Sequence, residues 1–382
     1  MHLLRVQVPD FRGLKNIDIT FEKDFVPSIF PLGSQNGGGK STLLQLIFVL
    51  LHCSVDEDKK KYLQNFIQGF KISDTSGKRV LASLDIWDGQ EVVKLDFYCR
   101  KLSLFLDDVD ENIIAKDLLH ICYYSSVYYA SIKSYNYQDI DTELLCDVKN
   151  KKPDIVNSFL NRISRKIFLA APSTQIFLFL PPDSRKLLFS NSSKADKNYY
   201  GILASARFEL KGLFTYDFLA VNLLIKSFKD ARDRDFRKAI NTGGYGNSYQ
   251  TLINDLNLLL ANKRINLNED FSGVNFQLYN NGETIELYPE DLSHGELKRL
   301  SIYIWLKSRN IEDAIVLMDE VEIAFHPDWQ YQIISDLKEW VPSNQYILAT
   351  HSYALCEALT PAHVKEIEPK LIKLESNITN ES

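Results

Sequence analysis

The most constraining feature of this chain is the segment GSQNGGGKST at residues 33–42, which lies between two apolar runs. The run before it, residues 26–32, is typical of a strand, and the run after it, residues 43–51, is typical of a helix. A glycine-rich turn that opens a helix directs several backbone N–H groups and the positive helix end at one anion. The segment therefore predicts a phosphate-binding loop.

The residues of this loop have separate expected roles. The ammonium group of Lys40 is expected to contact the β- and γ-phosphates of a nucleotide, and the Ser41 hydroxyl is expected to ligate Mg²⁺. The pattern G-x-x-x-x-G-K-[ST] is met except at its first glycine, where Ser34 stands, with Gly33 one residue earlier. The nucleotide-binding residues predicted from the loop are Ser34, Gln35, Asn36, Gly37, Gly38, Gly39, Lys40, Ser41 and Thr42.

Composition excludes several classes of protein. The chain is 45% hydrophobic and 25% charged, as is ordinary for a globular protein, and its net charge of −6 gives no overall basic field for nucleic acid. The five cysteines form no C-x-x-C pair, so neither a zinc knuckle nor a disulfide framework is indicated. No signal peptide is visible, and the apolar run at 43–53 is too short to span a bilayer. We therefore expect a cytoplasmic protein without a membrane segment.

Alternating apolar residues predict the organisation of the chain. Strands at 3–8 and 17–21, and a hairpin at 80–97 around Asp88-Gly89, predict an antiparallel sheet beside the nucleotide. Further elements are expected as a strand at 175–180, an exposed loop at 191–200, helices at about 216–240 and 248–261, and a hairpin at 274–287. The tyrosine-rich run at 123–129 favours a buried strand or helix face over a base-stacking surface. The alternating charges at 229–238 favour a solvated helix face, with a nucleic-acid patch as the alternative.

Two segments in the C-terminal part of the chain contain residues suited to bind an anion or a metal ion. In LSHGE at 292–296, Ser293 is placed to cap a helix, and its hydroxyl and the Gly295 amide would form a second anion site. A capping motif without a ligand is the alternative. The apolar strand predicted at 314–318 ends in Asp319 and Glu320, and adjacent carboxylates in such a place are costly unless a cation is near. Asp319 is expected to hold the Mg²⁺ water shell, and Glu320 to activate a water molecule.

Two histidines follow these acids. His326-Pro327 is expected to start a helix, because proline suits the first helical turn. The strand predicted at 345–350 ends in His351, which should lie near the γ-phosphate if this strand neighbours the one that ends in Asp319.

The order of these motifs resembles that of the ABC-type ATPase superfamily, over roughly residues 1–55 and 285–355. The resemblance implies an α/β fold: an ABC-type P-loop head with an N-terminal antiparallel β subdomain and an inserted helical lobe. Its expected bounds are 1–110, 111–285 and 286–382. It also implies ATP and Mg²⁺ as ligands and a head-to-tail homodimer, in which Ser293 and Gly295 of one chain contact the γ-phosphate held by the other. Glu320, His351 and Lys40 would then be the catalytic residues.

Three further segments look like the RecF/SMC-like branch, and most of all like the ATPases of OLD-type and Septu PtuA-type anti-phage systems. They are FRGL at 11–14, DEVEIAFHPDWQ at 319–330 and ATHS at 349–352. This likeness implies that Arg12 reaches the nucleotide and that His326 crosses the dimer interface. The family's glutamine position is not evident, and Arg185 is the best substitute. About thirty residues follow His351, too few for the Toprim nuclease of OLD proteins, so a nuclease or toxin would be a separate chain.

Three functions remain open at this stage. The first is a defence ATPase that controls a separately encoded nuclease or toxin. The second is a RecF-like DNA-repair ATPase that binds DNA. The third, the ATPase subunit of a membrane transporter, is least favoured, because the HP-x-W-Q element and the large insertion are untypical there.

Overall fold

The computed structural model describes residues 1–34, 37–53, 55–70, 72, 78–101, 126–132, 142–148, 153–181, 184–185, 195–216, 221–260, 262–268, 270, 273–280 and 283–367. The strands are β1 His2–Phe11, β2 Leu14–Thr20, β3 Ile29–Gly33, β4 Lys78–Trp87, β5 Val92–Lys101, β6 Ser126–Ile132, β7 Thr142–Asp147, β8 Ile167–Ala171, β9 Leu213–Thr215, β10 Lys263–Leu267, β11 Val274–Asn280, β12 Glu283–Leu287, β13 Ile315–Asp319, β14 Gln345–Ala349 and β15 Lys365–Glu366. The α-helices are α1 Lys40–His52, α2 Lys60–Ile67, α3 Pro153–Ser164, α4 Ala195–Glu209, α5 Val221–Thr242, α6 Ser248–Leu259, α7 His294–Ser308, α8 Pro327–Trp340 and α9 Tyr353–Glu357.

The N-terminal strands form the predicted antiparallel sheet, in the order β2-β1-β4-β5-β7-β6. The turn between β4 and β5 lies at Asp88 and Gly89, as expected. The Asp88 carboxylate accepts hydrogen bonds from the backbone N–H groups of Gln90 and Glu91, and Gly89 has a φ of 107°. A side chain would be strained at that φ, which explains the glycine in the turn.

A second six-stranded sheet is parallel throughout and has the order β15-β3-β14-β13-β8-β9. Both of its faces are covered. In β13, Ile315 and Leu317 belong to the core shared with α1, whereas Val316 and Met318 belong to the core shared with α7 and α8. Burial on both faces explains why β13 is a continuous apolar run rather than an alternating one.

The buried side chain of Gln345 forms hydrogen bonds between the two large sheets. The Gln345 amide at the start of β14 accepts the backbone N–H of Leu3 at 2.7 Å and donates to the Leu3 carbonyl at 2.9 Å. Gln345 is fully buried, so both polar ends of its amide need a partner. This pair of bonds fixes β1 against the parallel sheet.

Two predicted elements are wrong. Residues 175–180 do not form a strand: Ser173–Phe179 is a 3₁₀ helix, and the strand is β8, directly before it. Pro172, which has no N–H to donate to a ladder, ends that strand. The exposed loop predicted at 191–200 is wrong over 195–200, which opens helix α4, while 191–194 lie outside the described residues. Further along α4, Leu203 and Ala206 are buried, and packing of such residues stabilises a helix whose first turns are polar.

The region 111–285, expected to be largely helical, contributes strands to all three sheets as well as helices. It supplies β6 and β7 to the antiparallel sheet, β8 and β9 to the parallel sheet, and β10 and β11 to a three-stranded sheet with β12. Short apolar runs such as IFLAA at 167–171 do not distinguish strand from helix by periodicity, so strand β8 was not predicted. The division into 1–110, 111–285 and 286–382 stays a prediction.

The two helices predicted within this region are confirmed as α5 and α6. Asp235, within the charged run 229–238, is buried rather than solvated, and its carboxylate accepts the N–H groups of Ser248 at 2.8 Å and Tyr249 at 2.9 Å. These hydrogen bonds lower the pKa of Asp235 and cap the start of α6. Residues 126–129 of the tyrosine-rich run are in strand β6, and 123–125 lie outside the described residues.

Candidate functional site

Four neighbouring strands of the parallel sheet end at the same edge, and each leads into a segment of the candidate site. In the order β3, β14, β13 and β8, these segments are the glycine-rich loop, His351, the pair Asp319 and Glu320, and the 3₁₀ helix that contains Gln175. The carboxyl edge of a parallel sheet is where α/β proteins bind ligands. Sheet order thus brings together residues from both ends of the chain.

The glycine-rich loop has the backbone of an anion site. Gly37 and Gly39 have φ values of 80° and 87°, which a side chain would disfavour, and Gly39 directly precedes α1. The Lys40 ammonium lies 3.0 Å from both the carbonyl and the hydroxyl oxygen of Ser34, the residue that replaces the first glycine. Burial lowers the pKa of Lys40. Ser41 and Thr42 lie in the first turn of α1, while Gln35 and Asn36 lie outside the described residues.

Ser41 and Asp319 form the part of the site that fits a metal ion. The Ser41 hydroxyl donates to one carboxylate oxygen of Asp319 at 2.9 Å, and the other oxygen, Oδ2, is buried with no hydrogen-bond donor among the described residues. Burial is the main cause that raises the pKa of Asp319, to about 7, and the negative charges of Glu320 and Glu322 raise it further. A bound cation would offset the free-energy cost of a charged carboxylate in this buried position.

These donors suit Mg²⁺, which prefers oxygen ligands and usually takes one or two from the protein and the rest from water and phosphates. No cluster of three or more His, Cys, Asp or Glu side chains suited to a metal occurs in the described part of the chain. The two oxygens of Ser41 and Asp319 therefore fit a metal held jointly with a nucleotide and not a metal held by protein alone.

Glu320 is held by its backbone on two sides. Its N–H donates to the Ala349 carbonyl at 2.9 Å, and its carbonyl accepts from the Lys298 ammonium at 3.0 Å. Its φ of 52° is unusual for a residue with a side chain, and such conformations persist where the surroundings impose them. Its carboxylate faces the Gln175 amide at 3.5 Å. The side chain is thus aimed by contacts made by the main chain.

His351 lies beside the loop, as the sequence predicts. Its ring nitrogen Nδ1 is 3.4 Å from the Lys40 ammonium. Its backbone N–H donates to the Glu322 carboxylate at 2.7 Å. The side chain is exposed, so it can meet a ligand that enters from solvent.

The segment 292–296, called the signature segment below, forms the predicted helix cap. Ser293 precedes α7 and forms a capping box with Glu296: its hydroxyl accepts the Glu296 N–H, and its N–H donates to the Glu296 carboxylate at 3.0 Å. Ser293 and His294 are exposed. A Cβ on Gly295 would lie 2.8 Å from the Ala324 carbonyl oxygen and 3.1 Å from the Trp329 ring, so packing within the chain already requires glycine there.

Two arginines expected at the nucleotide contact helix α2 in this structure. Arg12 donates to the Phe66 carbonyl at 2.7 Å, and Arg185 donates to the Asn65 carbonyl at 2.8 Å. The expectation that Arg185 takes the glutamine position is wrong, because Gln175 lies beside Glu320. The contact of Arg12 with a nucleotide stays a prediction. His326 is exposed and precedes α8, which begins at Pro327 as expected.

Sequence reasoning missed three residues of the site: Gln175, Lys298 and Glu322. Gln175 follows β8, a strand that was not recognised. Lys298 lies one turn into α7, and its ammonium binds the carbonyls of Glu320 and Ile323 at 3.0 and 3.1 Å. Glu322 belongs to the D-E-x-E run, where the third acid was a visible signal that received no role.

Comparisons with known proteins agree with this geometry. Residues 180–357 match the family described as "AAA domain, putative AbiEii toxin, Type IV TA system". This match covers just under half of the chain. The α/β fold expected from the sequence, with its N-terminal antiparallel sheet, is confirmed by the two six-stranded sheets.

Two curated proteins match this chain over short segments. The "Retron Vc95 probable ATPase" of Vibrio cholerae serotype O1 biovar El Tor is 39% identical over 54 residues, which are 14% of this chain and 10% of that protein. The "Retron Ec83 probable ATPase" of Escherichia coli is 35% identical over 51 residues, 13% of this chain and 9% of that protein. These matches span only about a tenth of the relatives' length.

Solved structures of SMC heads are weakly similar to the whole chain. The SMC head domain from Thermotoga maritima has a TM-score of 0.45 at 10% identity, over 94% of this chain and 92% of that one. The SmcHead bound to the C-winged helix domain of ScpA gives the same TM-score at 12% identity, over the same shares of the two chains. Among the described helices of this chain, none is long and apolar enough to cross a membrane.

Proposed function

We propose that this chain is an ABC-type P-loop protein that hydrolyses ATP and acts as a dimeric switch driven by the nucleotide. The observation that carries the proposal is the convergence of Lys40, Asp319, Glu320 and His351 at one edge of the parallel sheet, with Ser293 and His294 of the signature segment exposed. The only described hydrogen-bond partner of the Ser293 side chain is Glu296, within the same helix cap. An anion that binds at Ser293 can thus come from a second copy of the chain.

Each residue of the site has its own role in the proposed reaction. Lys40 and the N–H groups at the start of α1 bind the β- and γ-phosphates, while Ser41 and Asp319 are the protein ligands of Mg²⁺. When bound, Mg²⁺ neutralises charge on the phosphate oxygens. Glu320 accepts a hydrogen bond from a water molecule and orients it for in-line attack on the γ-phosphorus. The bond between the γ-phosphorus and the β-γ bridging oxygen breaks and its electron pair stays on ADP. Glu320 takes the proton that the water loses, and ADP and inorganic phosphate leave. Most of the rate enhancement in such reactions comes from positioning and charge stabilisation.

The role of the switch is proposed from the names of the matched proteins. Retron ATPases and the AbiEii toxin family both suggest a defence or toxin–antitoxin setting. We therefore propose that closing and opening of the dimer controls a separately encoded effector, a nuclease or a toxin. A tagged chain expressed with its neighbouring genes should copurify with one such product, and purification of the chain alone would argue against this role.

The test of ATP hydrolysis is Glu320→Gln, which keeps the size of the side chain and removes the base. We expect turnover to fall by about 100-fold or more, the scale of losing one group that acts in the transition state. ATP binding should change by less than about threefold, and the variant should form a dimer with ATP and Mg²⁺ in light scattering. The matched control is Glu339→Gln, an exposed residue of α8. Normal turnover by Glu320→Gln would remove Glu320 from the mechanism, and a monomer at saturating ATP would refute the dimer.

A further inference from the structure

The turn after β13 carries a third carboxylate, Glu322, that the proposed reaction does not use. Glu322 is 8% exposed, and its Oε2 atom is buried with no hydrogen-bond donor among the described residues. A buried carboxylate with one oxygen unpaired is costly, so its presence needs a physical reason.

The reason lies in what the other oxygen binds. Oε1 of Glu322 accepts the backbone N–H of His351 at 2.7 Å. His351 lies two residues after the end of the neighbouring strand β14. The residues on either side of His351 are also tied: the Thr350 N–H donates to the Leu32 carbonyl at 3.3 Å, and the Ser352 hydroxyl donates to Gln330 at 2.5 Å. Glu322 therefore makes the bond that fixes the peptide of His351 itself.

That peptide determines where the imidazole ring lies. With its backbone bonded to Glu322, His351 places Nδ1 at 3.4 Å from the Lys40 ammonium. The charge of Glu322 also acts on Lys40: burial lowers the pKa of Lys40, and Glu322 is the strongest of the opposing charges. One buried carboxylate thus acts on both side chains that face the γ-phosphate position.

We propose that Glu322 is a positioning residue that holds His351 at the γ-phosphate and sets the rate of turnover without touching the nucleotide. The inference rests on the proposed ATP hydrolysis. Because Glu322 acts through His351, loss of its hydrogen bond should lower kcat by about 10-fold and change KM for ATP by less than about threefold, the pattern of an interaction that matters in the transition state.

The variants Glu322→Met and Glu322→Gln separate the hydrogen bond from packing. Methionine fills a similar space but accepts no strong hydrogen bond, whereas the amide oxygen of glutamine can still accept the His351 N–H. We expect Glu322→Met to lose turnover and Glu322→Gln to keep at least about a third of it, because the bond is retained. Equal losses in both variants would overturn the inference.

A double-mutant cycle with His351→Ala tests whether Glu322 acts through His351. Residues that act as a unit are strongly non-additive, so the double variant should be no slower than the slower of Glu322→Met and His351→Ala, within about twofold. Multiplied losses would show that Glu322 acts independently and would contradict the inference. If the wild-type protein does not hydrolyse ATP at all, the proposed function fails. Amide hydrogen exchange then still tests whether Glu322 positions His351.

Amide hydrogen exchange in nucleotide-free protein tests this positioning. The His351 N–H is protected by its bond to Glu322, so exchange in a peptide that spans 345–356 should be faster in Glu322→Met and near wild type in Glu322→Gln. Peptides from β1 and β4 report whether each variant is folded, and Glu322→Ala replaces the methionine variant if it is not. Unchanged exchange at His351 in a folded Glu322→Met or Glu322→Ala protein would overturn the positioning role.

Discussion

The Ser41 hydroxyl donates a hydrogen bond of 2.9 Å to the Asp319 carboxylate, although 278 residues separate the two in the chain. Ser41 opens helix α1 and Asp319 ends strand β13, so the bond joins the glycine-rich loop to the acid pair. It puts the two protein oxygens that suit Mg²⁺ within reach of one ion.

Asp319 should make the stability of the nucleotide-free protein depend on pH. Its pKa is raised from 3.8 to about 7, so the folded state holds a proton that the unfolded state has lost across this range. The contribution of Asp319 to the free energy of unfolding therefore decreases as pH rises through this window. Relative to Asp319→Asn, which does not titrate, the wild-type melting temperature should fall by a few degrees from acid to neutral pH.

Binding of ATP and Mg²⁺ should stabilise the wild type more than Asp319→Asn. Above neutral pH, ATP with Mg²⁺ should raise the melting temperature of the wild type more than that of Asp319→Asn, because only the wild type supplies the carboxylate to the metal. A wild type and a variant with parallel pH profiles in the absence of nucleotide would show that Asp319 is not raised in pKa.

Ser293→Asp should weaken dimer formation with ATP while leaving the fold intact. Aspartate and asparagine both cap helices about as well as serine, so α7 should keep its start in either variant. Only aspartate places a negative charge where the partner's γ-phosphate would bind. We expect the dimer dissociation constant with ATP and Mg²⁺, measured in the Glu320→Gln background, to rise by about 10-fold or more in Ser293→Asp, a loss of about 1.4 kcal/mol.

Ser293→Asn is the matched control for this experiment, because it has the same shape without the charge and should dimerise within about threefold of the parent protein. Equal dimerisation by the aspartate and asparagine variants would mean that Ser293 is only a helix cap, the alternative that the sequence left open.

Lys298→Met should slow turnover by misplacing Glu320. The Lys298 ammonium lies 4.0 Å from the centre of the Tyr216 ring and donates to the carbonyls of Glu320 and Ile323. Methionine keeps the apolar stem of the side chain but leaves these carbonyls without that donor. We expect kcat to fall by about 10-fold with little change in KM, together with a lower melting temperature.

Lys298→Arg can still donate to both carbonyls and should recover most of the activity. Lys338→Met, on the exposed side of α8, controls for loss of a positive charge. If Lys298→Met lowered the melting temperature without changing kcat, Lys298 would stabilise the turn but would not position Glu320.

The elements of the site could be predicted because their signals are local. Gly37 and Gly39 adopt left-handed backbone, Ser293 caps the helix that follows it, and Pro327 opens the next helix; each depends on residues within one or two turns. The hairpin at Asp88-Gly89 was predictable for the same reason. The prediction failed at 175–180, because the apolar strand β8 and the 3₁₀ helix after it have no distinctive period.

The sequence by itself determined that a glycine-rich turn before a helix, an acid-ended strand, a capped signature segment and a histidine-ended strand exist, because backbone conformation and capping depend on neighbouring residues. Only the tertiary structure decided which of these meet. The order β3-β14-β13-β8 puts His351 between the loop and Asp319, and it brings Gln175 to Glu320. Strand order depends on how side chains pack into the two cores, one on each face of the sheet. It therefore cannot be predicted from a local sequence pattern.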